Sequence, residues 1–357
     1  MPHDDACAHL TPDQDAAIAA EAIAARDLGH AAIHVAAALG VDPLRPDYRA
    51  LFESWYAAAD DPLGLVPLTE GASYALVCVH AEVRARKGEH DAALDLLFRA
   101  SAVRPDVPFL VWGEGWLTPD GVALALDPDV FEGGAQKLAA ALGQRSPLPH
   151  PKTVDAGLGI LARIRAAHPE HVGIAYWHVA ALRALARIPE ALASAETLYA
   201  AHPQWRTALA VGMVLRRTDD FDRAIGMFQK ALEHDPTDTG CRLDLGDMLC
   251  DAGRLDEGLA YYREVLEVDP EDAWARPSEL FFHAVRDRDA SAAEQLRLLT
   301  FNEPQNQRAA LLADRLSSVE GMGPTKTKRA ARKAAPKRGA TARKKAAPAT
   351  KKKSKGR

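Results

Sequence analysis

The sequence predicts an all-α chain: a solenoid of stacked helix–turn–helix repeats followed by a disordered basic tail. Three observations carry that prediction. Prolines that close amphipathic stretches recur at Pro169, Pro203, Pro236, Pro270 and Pro304, at intervals of 34, 33, 34 and 34 residues. Small residues recur at set places between them. The apolar content, 48% of 357 residues with only 6% aromatic, is mostly Ala and Leu, which suits close helix packing better than a β-sandwich.

Each proline closes its stretch because it lacks an N–H and keeps the residue before it out of the helical conformation. The clearest unit runs from Trp205 to Pro236. It reads as two helices broken at Thr218-Asp219-Asp220, polar residues suited to a turn and a helix cap. Gly212 on the first helix and Ala224 and Ala231 on the second let the backbones approach, and Leu215 and Phe228 fill the space between. The next unit repeats the scheme with Leu245, Gly246, Leu249, Gly253, Gly258, Tyr262 and Pro270. Gly253 falls where a tight turn favours a residue tolerant of positive φ.

These residues, at this period, resemble the tetratricopeptide repeat family, whose unit is a helix–turn–helix of about 34 residues. The likeness is best over Glu170–Pro304. It extends upstream to Gly88, Ala93, Leu97 and Ala100 before Pro105, and to Ala31, Val35 and Ala38 before Pro43. The resemblance implies a right-handed superhelical solenoid. Degenerate repeats are expected over 12–105, regular repeats over 152–304 and a capping helix over 305–320, with a disordered N-terminus at 1–11. Residues 106–151 lack a clean helical period and read as an irregular insertion or degenerate repeat, with Trp112 and Trp116 packed on the flanking repeats.

By the same resemblance, the first helix of each unit lines a concave groove that takes a protein partner, a peptide or a helix. The positions it assigns are Tyr176 and Arg183, then Arg206, Leu209, Met213, Arg216 and Arg217, then Leu243 and Asp247. The middle set is basic and partly apolar and the last is acidic, so a segment of mixed charge with an apolar anchor suits them. Repeats that clamp the chaperone C-terminus use groove asparagines and lysines. Here the two asparagines, Asn302 and Asn306, lie elsewhere, and those first-helix positions hold no lysine.

The formal net charge of −5 hides a division. Fifteen Lys or Arg and no acidic residue lie in 321–357, leaving 29 basic against 49 acidic residues in 1–320. The cations are Lys326, Lys328, Arg329, Arg332, Lys333, Lys337, Arg338, Arg343, Lys344, Lys345, Lys351, Lys352, Lys353, Lys355 and Arg357. Nothing apolar larger than Ala is interleaved after Pro324, so the tail is expected to be disordered. It is similar to histone-linker-like tails, which implies non-specific attachment to nucleic acid or another polyanion through counterion release. Folding back on the acidic body is the competing account.

No chemistry stands out. His80 and His178 fall at slots where the family has Leu and read as hydrogen-bonded core residues. His30 and His34 share one helix face, but two ligands make no zinc site. Cys7, Cys78, Cys241 and Cys250 form no C-x-x-C pair, and Walker, H-E-x-x-H and G-x-S-x-G motifs are absent. The expectation is a non-catalytic scaffold with no cofactor and no metal, in a bacterial cytoplasm, without export signal or membrane span. The alternative is a nucleic-acid-associated protein whose repeats mediate self-assembly.

Overall fold

A computed structural model describes residues 10–118, 121–144, 146–218 and 220–319, and the tail cations therefore lie outside the described residues. Among the described residues every regular element is a helix. The chain divides into two compact units, one to Arg254 and one from Leu255.

The first unit holds α1 (Pro12–Ala24), α2 (Leu28–Val41), α3 (Pro46–Ala58), α4 (Pro62–Leu65), α5 (Tyr74–Arg86), α6 (His90–Val103), α7 (Leu110–Trp116) and α8 (Val122–Ala125). It continues with α9 (Pro128–Leu142), α10 (Pro151–Ala167), α11 (Val172–Ala184), α12 (Ile188–Ala201), α13 (Trp205–Leu215), α14 (Phe221–His234) and α15 (Thr239–Asp251). The second unit holds α16 (Leu255–Val268), α17 (Ala275–Asp287), α18 (Ala290–Asn302) and α19 (Gln307–Ser318).

Seven helices, α2, α6, α10, α12, α14, α16 and α18, each end two residues before a proline: Pro43, Pro105, Pro169, Pro203, Pro236, Pro270 and Pro304. The residue between is the one whose conformation proline restricts, keeping it out of the helical region. At Asp42, Arg104, His168, His202, Asp235 and Glu303, φ lies between −141° and −120° and ψ between 66° and 89°. Starts are equally local. Asp220 accepts from the Arg223 N–H, Asp238 from the Cys241 N–H and Asn306 from the Ala309 N–H. Thr11, placed by sequence in the disordered N-terminus, forms a capping box with Gln14.

The turns inside the hairpins share another device. Arg26, Gly88, Ala186, Gly253 and Arg288 follow α1, α5, α11, α15 and α17 with positive φ, between 54° and 81°. The N–H of the next residue donates back to the helix at Asp27→Ala22, Glu89→Arg84, Arg187→Leu182 and Arg254→Leu249, at 2.8–3.0 Å. The glycines Gly88 and Gly253 were legible in the sequence, Gly253 as a turn position, whereas Arg26, Ala186 and Arg288 carry side chains that conceal theirs.

Small residues sit where predicted. A Cβ at Gly212 would touch the Phe228 ring at 3.3 Å, and Ala224, Ala231, Leu215 and Phe228 are buried. Residues 106–151 depart from simple stacking in order rather than in helicity. α9 lies between α6 and α11: Phe131 meets Phe98 edge to face, and Gly143 faces Ala184. α10, although next in sequence, packs chiefly on α7, where Gly157 faces Leu110 and Gly113 faces Ile160. In the second unit α17 is central, touching α16, α18 and α19, and Leu312 and Leu316 of α19 are buried.

Candidate functional site

The predicted groove positions on α11, α13 and α15 divide into three groups by what they touch. The first surrounds a cavity of about 580 Å³ lined by Arg183, Met213, Arg216, Arg217, Thr218 and Phe221. Arg183 projects from α11, Met213 from α13, and Arg216 and Arg217 from the turn that ends α13. Arg216 is held by two carboxylates of α15: Nη1 donates to Asp244 Oδ1 at 2.5 Å and Nη2 to Asp247 Oδ2 at 3.4 Å. Arg183 and Arg217 have no ion pair among the described residues. Burial is the main cause drawing the Arg183 guanidinium below its ordinary pKa, and the charges of Arg217 and Arg216 act the same way. Burial likewise raises the Asp244 carboxyl, with Arg216 opposing. The cavity is therefore cationic in excess, with Met213 and Phe221 as its apolar side.

The second group is aromatic. The Arg206 guanidinium stands 4.8 Å from the centre of the Tyr176 ring and 5.8 Å from that of Trp177, and ion-pairs with Glu132 of α9. Tyr176 has its hydroxyl pKa raised, chiefly by burial. Arg206 is thus engaged within the protein, where the sequence reading has it facing a partner.

The third group departs from that reading. Asp247, expected on the groove surface, is 3% exposed and serves to position Arg216. Leu209 and Leu243 are half-buried and do not line the cavity. Sequence reasoning missed Asp244, Thr218, Phe221 and Glu132. Asp244 is signalled only by being one turn from Asp247. Glu132 lies in the segment without a period, which left no register to align it with Arg206.

His80 is buried, its Nδ1 2.7 Å from the Val66 carbonyl and its Nε2 accepting from Arg84 Nε at 2.8 Å. His178 is pushed down to about 4, first by burial and then by Arg165 and Arg187. His34 bridges Asp15 at 2.7 Å and His30 at 3.0 Å, and no group of three or more metal-ligating side chains occurs among the described residues. Burial raises the Cys78 thiol well above its usual range and the Cys241 thiol to about 12, the reverse of an activated nucleophile. No helix among the described residues is long and apolar enough to cross a membrane.

Two family models described as tetratricopeptide repeat match the chain, over residues 178–239 and 215–276. Among solved structures, the chain is similar to YrrB, described as a TPR protein with an unusual peptide-binding site. The identity is 21%, over 53% of this chain and 93% of that one, with a TM-score of 0.39. It is also similar to MamA 41-end from Desulfovibrio magneticus RS-1, at 18% identity over 57% and 99% of the two chains with a TM-score of 0.36. A thermophilic TPR protein of Thermus thermophilus, TTC0263, aligns at 14% identity over 67% and 100%, with a TM-score of 0.31. No curated protein sequence matches significantly.

Proposed function

Because residues 178–276 belong to the tetratricopeptide repeat family, we propose that the protein is a non-catalytic interaction scaffold that seats a partner's peptide or helix along α11, α13 and α15. The observation that carries this reading is the cavity between α11 and the end of α13. Two arginines without carboxylate partners among the described residues, Arg183 and Arg217, stand there beside Met213 and Phe221. An acidic side chain next to an apolar one satisfies both walls: the carboxylate offsets the unpaired positive charge, and the apolar group leaves water. Arg216, fixed by Asp244 and Asp247, and Arg206, fixed by Glu132 and Tyr176, frame that seat.

The tail supplies a second, weaker attachment in this proposal. Its fifteen cations hold nucleic acid or another polyanion without reading sequence, and binding falls with salt at a log–log slope of roughly −0.9 per phosphate contacted.

Affinity capture tests both parts. Full-length protein, residues 1–320, and full-length Arg183→Glu/Arg217→Glu are compared with and without nuclease at two salt concentrations. A protein partner retained by 1–320 after nuclease and lost from the double variant supports the groove assignment. Capture that vanishes with the tail, nuclease or salt favours a nucleic-acid-associated protein instead.

A further inference from the structure

At the cationic cavity, internal carboxylates pair with only one of the three guanidiniums. Asp244 and Asp247 both contact Arg216, whereas Arg183 and Arg217 have no ion pair among the described residues. On the premise that a partner's segment fills this groove, we propose that the segment is phosphorylated: its phosphate accepts from Arg183 and Arg217, and a neighbouring apolar side chain lies against Met213 and Phe221.

Charge selects phosphate over carboxylate. A phosphorylated Ser, Thr or Tyr carries about −1.5 to −2 at neutral pH and offers three strong acceptor oxygens. A side-chain carboxylate brings a single charge and leaves one of the two unpaired arginines without a counterion. The arginines also act on one another through space. Burial is the main cause lowering the Arg183 pKa, and the charges of Arg217 and Arg216 add to it, with Tyr176 and Asp244 opposing. Cations that repel one another are drawn to a shared dianion more than to a monoanion. Each is an arginine, whose planar fork donates two parallel bonds to a phosphate, where a lysine acts as a point charge. Arg217 is exposed, so a phosphate still attached to its chain can reach it.

A protein segment suits the site better than a nucleic acid. A nucleic acid presents phosphates in continuous series, and the surroundings oppose them: residues 1–320 hold 49 acidic against 29 basic residues, with Asp244 and Asp247 beside the seat. One phosphate on a peptide meets the arginines without bringing further phosphates against those carboxylates. Met213 and Phe221 take the side chain next to the phosphorylated residue, and the volume of about 580 Å³ is enough for both. The partner is then held while phosphorylated and released when the phosphate is removed.

The test is calorimetric titration of the full-length protein with three N-acetylated octapeptides, identical except for phosphoserine, glutamate or serine before a phenylalanine. A short oligothymidylate is the nucleic-acid probe. The phosphopeptide is expected to bind with Kd below about 100 μM, roughly tenfold tighter than the glutamate peptide. That preference is expected to fall below about threefold in Arg183→Gln/Arg217→Gln. Arg217→Gln alone, at an exposed side chain, is expected to reduce it in the same direction, and circular dichroism verifies that both variants are folded. The tail is the same in all three proteins, so a preference that survives the double substitution belongs to the tail and overturns the proposal. Equal binding of phosphopeptide and glutamate peptide, lost in the double variant, overturns the phosphate and leaves the groove in place. No binding of any peptide up to about 1 mM overturns both. Oligothymidylate affinity that falls about tenfold in the double variant, with the phosphopeptide unaffected, assigns the seat to nucleic acid and likewise overturns the proposal.

Discussion

Gly134 of α9 lies directly beneath the ring of Phe98 of α6: a Cβ at 134 would stand 2.5 Å from Phe98 Cδ2. Phe98 is fully buried and meets Phe131 at a centroid distance of 6.0 Å, so its ring has no free side to retreat to. Gly134→Ala is therefore expected to lower stability by about 1–3 kcal/mol, read as a fall in the urea midpoint with unchanged slope. Gly115→Ala, entering open space on another helix, is expected to leave the midpoint level or raise it. Equal effects of the two would refute the account of how α9 is seated.

Ala186 turns the chain from α11 to α12 at φ +57°, a conformation that opposes its Cβ. Replacing it by glycine relieves that opposition but gives the unfolded chain more freedom. The first effect is the larger, and Ala186→Gly is expected to stabilise by about 0.5–1 kcal/mol. Thermal unfolding measures it, and a lower midpoint would show that the turn is not strained.

Much of the helical scheme was legible because its causes are local. Proline acts on its immediate neighbour, caps act within three residues, and Gly212 against Phe228 is a contact inside one hairpin. The site was legible only in part. Arg183, Met213, Arg216 and Arg217 share a cavity because equivalent faces of successive first helices align. The internal pairing of Arg216 with Asp244 and of Arg206 with Glu132 depends on contacts between helices that are not neighbours in sequence. The order of α9 and α10 is set the same way, by which buried faces fit, and no periodicity encodes it.

His178 makes stability depend on pH. Its folded pKa is held at about 4 against an ordinary 6.5, so above 6.5 the ring is neutral in both folded and unfolded chains. As pH falls from 6.5 towards 4, the unfolded chain takes up a proton that the folded one refuses, and stability drops; below 4 this contribution levels off. The drop is expected to be on the order of 2 kcal/mol, less than the whole shift because the ring retains some solvent contact. Urea titrations of parent and His178→Leu at pH 7 and 5 isolate it. The difference between the two proteins should change in that direction, and a constant difference would remove His178 as the cause.

The cationic cavity also bears on the tail. Arg183, Arg216 and Arg217 repel a lysine-rich segment, so the tail is expected not to compete for this seat even if it meets the acidic body. Removing 321–357 is expected to leave the affinity of an acidic, Phe-containing peptide for the cavity within about threefold at physiological salt. A gain of about tenfold or more on truncation would mean that the tail had occupied the groove.

The common spacing between helix ends and prolines has a consequence for how the protein can change length. The segments after Pro203 and after Pro236 begin in the same backbone state, because His202 and Asp235 hold nearly the same φ and ψ. Excising residues 204–236 would join Pro203 to Thr237 with no new turn to invent, and duplicating them would insert a hairpin at a ready-made seam. The hairpin between two prolines is thus a unit of reach, and the span offered to a partner grows or shrinks in whole steps of it.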